Sequence, residues 1–302
     1  PNAIIPSRWR ETVLTVLFKS GDVTLLKNYR PVAIIPSLYK LFATLLARRL
    51  EKVLDPELSK DQAGFRKKCS TVDHIFVLSQ IAEKTGEWRQ EAWIGVIDFM
   101  KAFDSIEHEA IWSALTKQGV DDGYVRVLRN LYSAQTGKVR TDCLSKDFKI
   151  SRGTKQGDPL STLLFNAVLE DVFRDVRNSW VERKFGIQMF VGVPEFLQSL
   201  CFADDVLLAA HSGKHLTAML DDLRVAAAKR GLIIHTDKTK ILTNASKFRR
   251  SPLPKTLDFI PSPVEVLDFE ADATYLGRTF SFHETQDTEL KHRLARSWAA
   301  FS

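Results

Sequence analysis

Two adjacent acidic residues, Asp204 and Asp205, interrupt an apolar stretch that runs from Leu200 to Leu208. A carboxylate beside buried apolar surface is costly unless it is paired or coordinates a metal, and two neighbouring carboxylates also repel each other. A turn at this point would carry both acids to the exposed tip of a hairpin, where a divalent cation would relieve the repulsion. The alternative interpretation of such a doublet is a solvated turn.

Asp98 stands in a similar setting, because it directly follows the short apolar run 93–97 (WIGVI), which is typical of a fully buried strand. If this strand and the segment 199–210 are neighbours in one sheet, Asp98 and Asp204 converge at its edge. Carboxylate oxygens suit a hard cation such as Mg2+, with Mn2+ as an alternative. Two such ions, about 4 Å apart, can activate a hydroxyl nucleophile and stabilise a pyrophosphate leaving group.

The elements that must position these acids alternate irregularly between strands and helices, which predicts an α+β fold rather than a doubly wound sheet. Asp104 is predicted to cap the N-terminus of helix 105–117, since Glu107 follows at capping-box spacing and Gly119 stands where the helix should end. Strands are predicted at 12–18, 93–97, 232–234 and 274–280, with a hairpin at 138–150 and a strand-turn-strand unit at 199–210. Helices are predicted at 37–54, 70–84, 105–117, 122–134, 160–178 and 214–230.

Composition narrows the class of protein. The 302 residues carry a net charge of +6, which favours a polyanionic partner such as nucleic acid. Cys69, Cys143 and Cys201 are widely spaced, which argues against a disulfide framework and for a reducing, intracellular compartment. His211 and His215 have a spacing that can bind zinc, but no further ligand accompanies them, so a structural role is favoured. No apolar run approaches the ~20 residues of a membrane span, and a start without Met predicts a fragment of a longer polypeptide.

A set of short segments follows one another in a fixed order along the chain. These are Lys19-Ser20-Gly21-Asp22, Asn28-Tyr29-Arg30-Pro31-Val32, Gln62-Ala63-Gly64-Phe65-Arg66, residues 97–104 (IDFMKAFD), residues 156–161 (QGDPLS), Phe202-Ala203-Asp204-Asp205, Gly231-Leu232 with Lys238-Thr239, and Tyr275-Leu276-Gly277. The ordered set resembles the motifs of reverse transcriptases, most of all those of non-LTR (LINE-type) retrotransposons. The surroundings of residues 103–112 and 275–282 are similar to the RTE clade.

The resemblance implies a right-hand polymerase. Its fingers would comprise 1–90 with part of 115–150, and its palm 91–280 would be an antiparallel sheet backed by helices, of the split βαβ type. The start of a thumb would follow at 281–302. The implied reaction is RNA-directed DNA synthesis with an RNA template, a DNA primer, dNTPs and two Mg2+ ions. The implied location is intracellular, with a nuclear stage and a cytoplasmic ribonucleoprotein stage. Two alternatives stay open: a group II intron maturase-type reverse transcriptase, and a catalytically silent nucleic-acid-binding remnant.

The resemblance also assigns roles around the predicted metal site. Asp98, Asp204 and Asp205 would be the metal-binding catalytic carboxylates. Lys238 would donate a proton to the departing pyrophosphate or orient it, and the alternative is a surface lysine.

Further residues would hold the nucleotide. A bulky ring at Phe103 would clash with a ribose 2′-hydroxyl and select deoxynucleotides, and the alternative is an ordinary core phenylalanine. Phe99 would belong to the same nucleotide site, and Gln156 and Gly157 would contact the nucleotide and the templating strand.

The outer parts of the implied site are the triphosphate and primer contacts. Lys19 and Arg30 would neutralise the triphosphate, with solvated surface charges as the alternative. Tyr275, Leu276 and Gly277 would form the primer grip.

Overall fold

The computed structural model describes residues 5–19, 21–190, 195–249 and 252–283, together with 290–291, 293–295, 297–298 and 301. Its α-helices are α1 (Ser37–Leu54), α2 (Thr71–Glu87), α3 (Ala102–Ser105), α4 (His108–Lys117), α5 (Asp122–Tyr132), α6 (Ser161–Glu182) and α7 (Gly213–Ala228). Its strands are β1 (Glu11–Phe18), β2 (Tyr29–Ile34), β3 (Trp93–Ile97), β4 (Gln135–Arg140), β5 (Phe148–Ile150), β6 (Ile187–Gln188), β7 (Phe196–Leu197), β8 (Ser199–Phe202), β9 (Asp205–Ala210), β10 (Lys240–Thr243), β11 (Thr256–Leu257), β12 (Val264–Val266), β13 (Ala273–Tyr275) and β14 (Arg278–Phe280).

The chain divides into two units, each assembled from separated segments. The first unit takes the chain up to Ser59, Lys101–Val172 and Lys229–Leu232. The second takes Lys60–Met100, Phe173–Ala228 and the segment from Ile233 onward. Ser20 and part of the predicted start of the thumb at 281–302 lie outside the described residues.

The first unit contains a four-stranded sheet in the order β2-β1-β4-β5. β1 pairs antiparallel with β2 and parallel with β4, and β4 turns back onto β5. Helix α1 buries Tyr39, Ala43, Leu46, Leu50 and Leu54, whose spacing places them along one face.

The second unit contains a six-stranded sheet in the order β11-β12-β10-β3-β9-β8. β3 pairs antiparallel with β9 and with β10, and β9 pairs antiparallel with β8. Side chains alternate between the two faces of this sheet. On one face Ile94, Leu207 and Leu242 pack with Leu78 and Ile81 of α2 in a single apolar cluster.

The opposite face of the same sheet is covered by α7. Gly95 faces Leu216 of this helix, since a Cβ there would be in ordinary van der Waals contact, 3.5 Å from a Leu216 methyl carbon. Trp93, the strand's first residue, is buried beside Gly213. β3 is therefore covered on both faces, as its uninterrupted apolar run predicts.

Several predicted elements are confirmed, including α1 at 37–54 and the strand-turn-strand unit at 199–210. The single helix at 105–117 is wrong. The backbone is left-handed at Lys101 (φ +47°), makes the short α3 and extends at Ile106 before α4 begins at His108. Asp104 lies inside α3, and the N-cap of α4 is Glu107, whose side chain makes no capping bond. The prediction of Asp104 as an N-cap is therefore wrong.

Two strand predictions also need correction. The strand predicted around 232–234 is only a single bridge between Phe99 and Ile234, and the regular strand of this region is β10. The strand predicted at 274–280 is the hairpin β13–β14, which turns at Leu276 and Gly277. None of the helices in the described part of the chain combines the length and apolar character that crossing a membrane requires.

Candidate active site

Asp98 and the Asp204-Asp205 doublet lie at the same edge of the six-stranded sheet. In the β3–β9 ladder Ile97 stands opposite Val206, so the next position of the register brings Asp98 beside Asp205. Asp204 precedes it in the turn between β8 and β9. The sequence prediction that these acids gather at one sheet edge is therefore matched by the strand register of the second unit.

The turn that carries the doublet is tight. Phe202 pairs with Asp205, which leaves Ala203 and Asp204 as a two-residue connection. Ala203 has φ +57°, a left-handed conformation that costs energy for a residue with a Cβ. Asp204 is half-buried and Asp205 is exposed, so the turn presents both acids at its tip.

The segment that follows α7 runs along the end of β3 and brings Lys238 to Asp98. The His235 amide donates to the Asp98 carbonyl at 2.8 Å, and the Lys238 amide donates to the His235 carbonyl at 3.1 Å. This turn places Lys238 Nζ 3.3 Å from Oδ2 of Asp98. Oδ2 is shielded from solvent and accepts no hydrogen bond within the described residues.

The carboxylate oxygens at this edge of the sheet are possible ligands for a divalent cation. No three His, Cys, Asp or Glu side chains of the described residues are gathered closely enough to hold a metal ion as they stand. Oδ2 of Asp98 nevertheless has the Lys238 ammonium as a charged neighbour but accepts no hydrogen bond within the described residues, and it lies beside a turn that carries two more acids. Hard oxygen donors of this kind fit Mg2+, and a shared cation would satisfy the Asp98 oxygen.

His211 and His215 do not form a zinc site with each other. His211 Nε2 accepts from the Gln188 amide at 3.1 Å, and its Nδ1 lies 3.2 Å from the Glu91 carbonyl. Both ring nitrogens are thus engaged with backbone groups. The ring of His215 packs on Phe185 at 4.6 Å between centroids. These contacts agree with the structural role that the sequence favoured.

In the first unit, a glycine-containing loop between β5 and α6 carries Gln156 and Gly157. The Gln156 carbonyl accepts from the Ala33 amide at 3.1 Å, which ties the loop to β2. Gly157 is exposed and has φ +99°, a conformation that requires glycine. A Cβ at Gly157 would stand 3.6 Å from the Ala33 carbonyl oxygen, so strain rather than space selects glycine.

Asp104, taken for a helix cap from the sequence, instead holds the side chain of Gln156. Gln156 Nε2 donates to both carboxylate oxygens of Asp104 at 3.0 Å. Because an ionised carboxylate only accepts hydrogen bonds, this contact fixes the amide nitrogen inward and leaves the amide oxygen to face elsewhere. Burial raises the pKa of Asp104, while the Gln156 hydrogen bond and the charges of Lys101 and Arg30 oppose that rise.

Phe103 is half-buried and stacks on the fully buried Phe165, with ring centroids 4.5 Å apart and planes inclined by 26°. The Thr154 amide donates to its carbonyl at 2.7 Å. The ring thus has one supported face and a remaining exposed part, which a core phenylalanine at 0% exposure would not have. This half-exposed, supported ring is compatible with the predicted steric gate.

A buried polar cluster lies under the loop. Tyr39 donates its hydroxyl to Asp158, and Lys155 donates to the Trp9 carbonyl at 2.8 Å. Lys155 also stands 4.9 Å from the centre of the Tyr39 ring. Burial lowers the pKa of Lys155 to about 8, and the charge of Asp158 partly offsets that shift. For Asp158 the effect of burial is opposite in sign, because burial disfavours the charged carboxylate and so raises its pKa.

The other residues predicted to contact the nucleotide or the primer differ in how exposed they are. Lys19 and Arg30 are exposed at the β1–β2 hairpin, as either a triphosphate contact or a solvated charge would be. Phe99 is only 5% exposed, so its side chain offers little surface to a nucleotide, and its predicted place in the nucleotide site stays a prediction. Gly277 is exposed and Leu276 is half-buried at the β13–β14 turn.

Tyr275 is a buried member of the predicted primer grip. It is 2% exposed and belongs to the apolar cluster between α2 and the sheet. Its hydroxyl lies 3.2 Å from His74 Nδ1 and 3.4 Å from the Leu200 carbonyl oxygen. The side chain supports β8 from inside, and the primer-grip role of Tyr275 stays a prediction. Burial raises its pKa, and the charges of Cys201 and Asp205 add to that rise.

Sequence reasoning gave no role to Gln62 and Gly64, although both stand in one of the ordered segments. Gln62 Oε1 accepts hydrogen bonds from the Ala203 and Gly64 amides. Asp104 was given a different role, that of a helix N-cap. The available signal for Gly64 was a glycine in a segment that lacks other turn residues, whereas nothing local indicated the partners of Gln62 or Asp104.

Comparison with known proteins gives a consistent family. Residues 18–280 match the family model described as reverse transcriptase (RNA-dependent DNA polymerase). The chain is 30% identical over 281 residues to a Popillia japonica protein described as the retrovirus-related Pol polyprotein from type-1 retrotransposable element R2, covering 91% of this chain and 38% of the relative. It is 27% identical over 285 residues to the transposon TX1 uncharacterized 149 kDa protein of Xenopus laevis, covering 93% and 21%. The chain thus spans about two fifths or less of the length of these relatives.

Among solved structures, telomerases share the fold. The chain superimposes on telomerase from Candida tropicalis in complex with the TWJ fragment of telomeric RNA with a TM-score of 0.58 at 11% identity, covering 85% of this chain and 44% of the telomerase chain. For apo telomerase of the same organism the TM-score is 0.59, with 88% and 49% covered. The predicted α+β fold with antiparallel sheet and backing helices is confirmed.

Proposed function

This chain belongs to the reverse transcriptase (RNA-dependent DNA polymerase) family, and from that premise we propose that it extends a DNA primer along an RNA template by adding deoxynucleotides. The observation that carries the proposal is the register of β3 with β9, which brings Asp98 beside the Asp204-Asp205 turn. The reaction is attack of the primer 3′-hydroxyl on the α-phosphate of a dNTP, with pyrophosphate as the leaving group.

Asp98, Asp204 and Asp205 would hold two divalent cations, Mg2+ or in its place Mn2+. The ions supply charge neutralisation for the attacking and leaving oxygens. The chain's own contribution is to hold three carboxylates on two adjoining strand ends. β3 is buried on both faces and β9 is buried from Val206 to Ala210, so these strands form a rigid base. Rigid support matters because a site that shifts by about 1 Å loses much of its rate.

Lys238 supports the same proposal as a source of positive charge and of a proton. Its Nζ stands 3.3 Å from Asp98 Oδ2, so it is held near the place where the cations would bind. A leaving pyrophosphate at that place would be stabilised by an ammonium group and could take a proton from it.

In the first unit, Phe103, Gln156 and Gly157 would contact the sugar and base of the nucleotide. Phe165 fixes the Phe103 ring from one side, and Asp104 fixes the Gln156 amide. Lys19 and Arg30 would neutralise the triphosphate from the β1–β2 hairpin. The exposed turn of Leu276 and Gly277 is the part of the predicted primer grip that a primer can reach.

The partners follow from the reaction: an RNA template, a DNA primer and dNTPs. The net charge of +6 supports binding to a polyanion. Because the relatives are described as retrotransposon polyproteins, the element's own RNA is the proposed template, with a cytoplasmic ribonucleoprotein stage and a nuclear stage. Affiliation with the RTE clade is part of the same proposal.

Primer extension on an RNA template, with and without Mg2+, tests the proposal. Asp204→Asn should reduce extension by at least about 1,000-fold, because it removes a charged ligand of the cations. Binding of the RNA–DNA duplex, measured by fluorescence anisotropy, should change by less than about threefold. Asp272→Asn is the matched control, since Asp272 is an exposed carboxylate of the same unit. If the wild type binds the duplex but extends no primer with Mg2+ or Mn2+, the chain is a catalytically silent remnant and the polymerase proposal fails.

A further inference from the structure

The segment 61–64 lies along the free side of β8, next to the turn that carries the acidic doublet. The Cys201 amide donates to the Asp61 carbonyl at 2.8 Å, and the Ala63 amide donates to the Cys201 carbonyl at 2.8 Å. Gln62 and Cys201 thereby form a parallel bridge. This single bridge and its two hydrogen bonds fix the position of the segment against the backbone of β8.

The side chain of Gln62 reaches past the end of β8 to the turn. Its Oε1 accepts from the Ala203 amide at 3.1 Å and from the Gly64 amide at 2.8 Å. Gln62 is 4% exposed, so these amides are satisfied by protein rather than by water. A buried N–H that loses its acceptor costs about 1–3 kcal/mol. The left-handed backbone of Ala203 is therefore maintained by one buried amide oxygen.

Gly64 closes the contact from the other side. A Cβ on Gly64 would stand 2.1 Å from the Ala203 amide nitrogen and 2.7 Å from the Phe202 carbonyl carbon. Both are backbone atoms, which cannot rotate away as the end of a side chain can. Gly64 is needed here for close approach of two backbones, and any side chain would push the turn away.

We propose that Gln62 and Gly64 are positioning residues, which fix the Ala203-Asp204 turn and so determine where the Asp204 and Asp205 carboxylates stand for the divalent cations. The inference rests on the proposed function of those acids. The turn has only two residues, and Asp204 directly follows the residue that Gln62 holds. A displacement of the Ala203 amide is therefore transmitted to the carboxylates with no intervening flexible segment.

The test measures cation binding and activity separately. Gln62→Met keeps the length of the side chain but removes the acceptor, whereas Gln62→Glu keeps an acceptor for both amides. Gly64→Ala inserts the colliding Cβ, and Gly86→Ala is its matched control, because a Cβ at Gly86 meets nothing within 4 Å in the same unit. Mn2+ binding to the purified chain is titrated by electron paramagnetic resonance. The Mg2+ concentration for half-maximal primer extension is measured in parallel.

We expect Gln62→Met and Gly64→Ala to weaken Mn2+ binding about tenfold and to raise the half-maximal Mg2+ concentration by a similar factor, as an energy of about 1.4 kcal/mol would do. Excess Mg2+ should restore most of the extension rate. Gly86→Ala should match the wild type, and Gln62→Glu should bind Mn2+ better than Gln62→Met. Far-ultraviolet circular dichroism identifies the variants that fold. If Gly64→Ala does not fold, the comparison of Gln62→Glu with Gln62→Met tests the inference.

Three results would overturn the inference in distinguishable ways. If folded Gln62→Met binds Mn2+ with wild-type affinity while Asp204→Asn does not, the carboxylates bind metal without help from Gln62, and only the positioning role fails. If Asp204→Asn binds Mn2+ as the wild type does, the proposed metal site and the positioning role fail together. A loss of maximal rate with an unchanged Mg2+ requirement also contradicts positioning through the cations.

Discussion

The Nζ atom of Lys238 lies 3.3 Å from Oδ2 of Asp98, although the two residues come from separate segments of the second unit. The Lys238 side chain is 61% exposed and that of Asp98 is 40% exposed. Although Oδ2 itself is shielded, both side chains are largely exposed, and an ion pair between exposed side chains contributes little to folding. A role for Lys238 in the reaction can therefore be measured apart from its role in stability.

Replacement of Lys238 by Met should reduce the single-turnover extension rate by about 100-fold, because general acid catalysis contributes about 10²–10⁴-fold. The free energy of unfolding should change by less than about 1 kcal/mol, since the pair is exposed. Rapid-quench kinetics and urea denaturation give the two quantities. Lys214→Met removes an exposed charge from the same unit and should leave the rate unchanged. A Lys238→Met variant with wild-type rate would assign this lysine to the protein surface alone.

Asp104→Asn should separate nucleotide binding from stability. An asparagine can both donate to and accept from Gln156, so the amide of Gln156 loses its single orientation. The KM for dNTP should rise about fivefold, which corresponds to about 1 kcal/mol of hydrogen-bond energy. Steady-state extension at varied dNTP checks this value. Asp142→Asn, an exposed carboxylate of the same unit, should leave KM unchanged.

Although Asp104→Asn should weaken nucleotide binding, it should not lower the stability of the fold at neutral pH. The folded-state pKa of Asp104 is raised by burial, so the folded protein favours the protonated acid. The wild type therefore loses stability as pH rises from the ordinary aspartate range through that raised pKa. Asp104→Asn lacks this loss and should be at least as stable as the wild type at neutral pH. Urea denaturation across this pH range would contradict the argument if the two proteins showed the same pH dependence.

Lys155 should make stability depend on pH in the alkaline range. Burial lowers its folded-state pKa to about 8, while an unfolded lysine titrates near 10.4. Between these values the unfolded chain binds more protons, so the free energy of unfolding rises with pH. The gain attributable to Lys155 is about 1 kcal/mol between pH 8 and pH 9.

Lys155→Met should remove this contribution, so the difference in unfolding free energy between wild type and variant should shift by that amount across the same interval. Comparing differences cancels the titration of groups that do not interact with Lys155. Lys149→Met, an exposed lysine on β5, should show no such shift. A constant difference between wild type and Lys155→Met from pH 7 to pH 9 would show that Lys155 is not held with a lowered pKa.

The convergence of Asp98 with Asp204 and Asp205 could be predicted from sequence because each acid stands at or beside the end of a short, mostly apolar strand. Burial on both faces forces such strands into the middle of a sheet, and a polar residue at the strand end must then lie at the sheet edge. β10 was missed, since only Ile241 and Leu242 are apolar within it. Its pairing with β3 compensates for the short local pattern.

The supporting contacts could not be predicted in the same way. Gln62 and Asp104 act through side-chain hydrogen bonds to residues far along the chain, and such bonds leave no periodic pattern. Tyr275 stands in a recognisable segment, yet its side chain is buried. A motif identifies a residue without saying which way its side chain points. The division into fingers, palm and thumb, the site roles and the cellular location stay predictions.

The final prediction concerns the loop that carries Gln156. It compares alanine substitutions at two glycines with similar backbone angles. Gly153 has φ +81° and Gly119 has φ +79°, so alanine is equally strained by conformation at both positions. A Cβ at Gly119 meets nothing within 4 Å, whereas one at Gly153 would stand 2.5 Å from the Asp104 carbonyl oxygen. Gly119→Ala should therefore cost about 1–2 kcal/mol of stability from conformation alone. Gly153→Ala should cost about 1–3 kcal/mol more, as overpacking does.

Urea denaturation of the two variants measures that difference. Because the collision falls on the backbone of Asp104, Gly153→Ala should also disturb the Asp104–Gln156 hydrogen bond and raise the KM for dNTP. Gly119→Ala should leave KM unchanged, since Gly119 lies just beyond the end of α4 and a Cβ there meets nothing within 4 Å. Equal losses of stability in the two variants would mean that the loop moves aside freely. In that case Gly153 would be selected by its backbone angle and not by the close approach to Asp104.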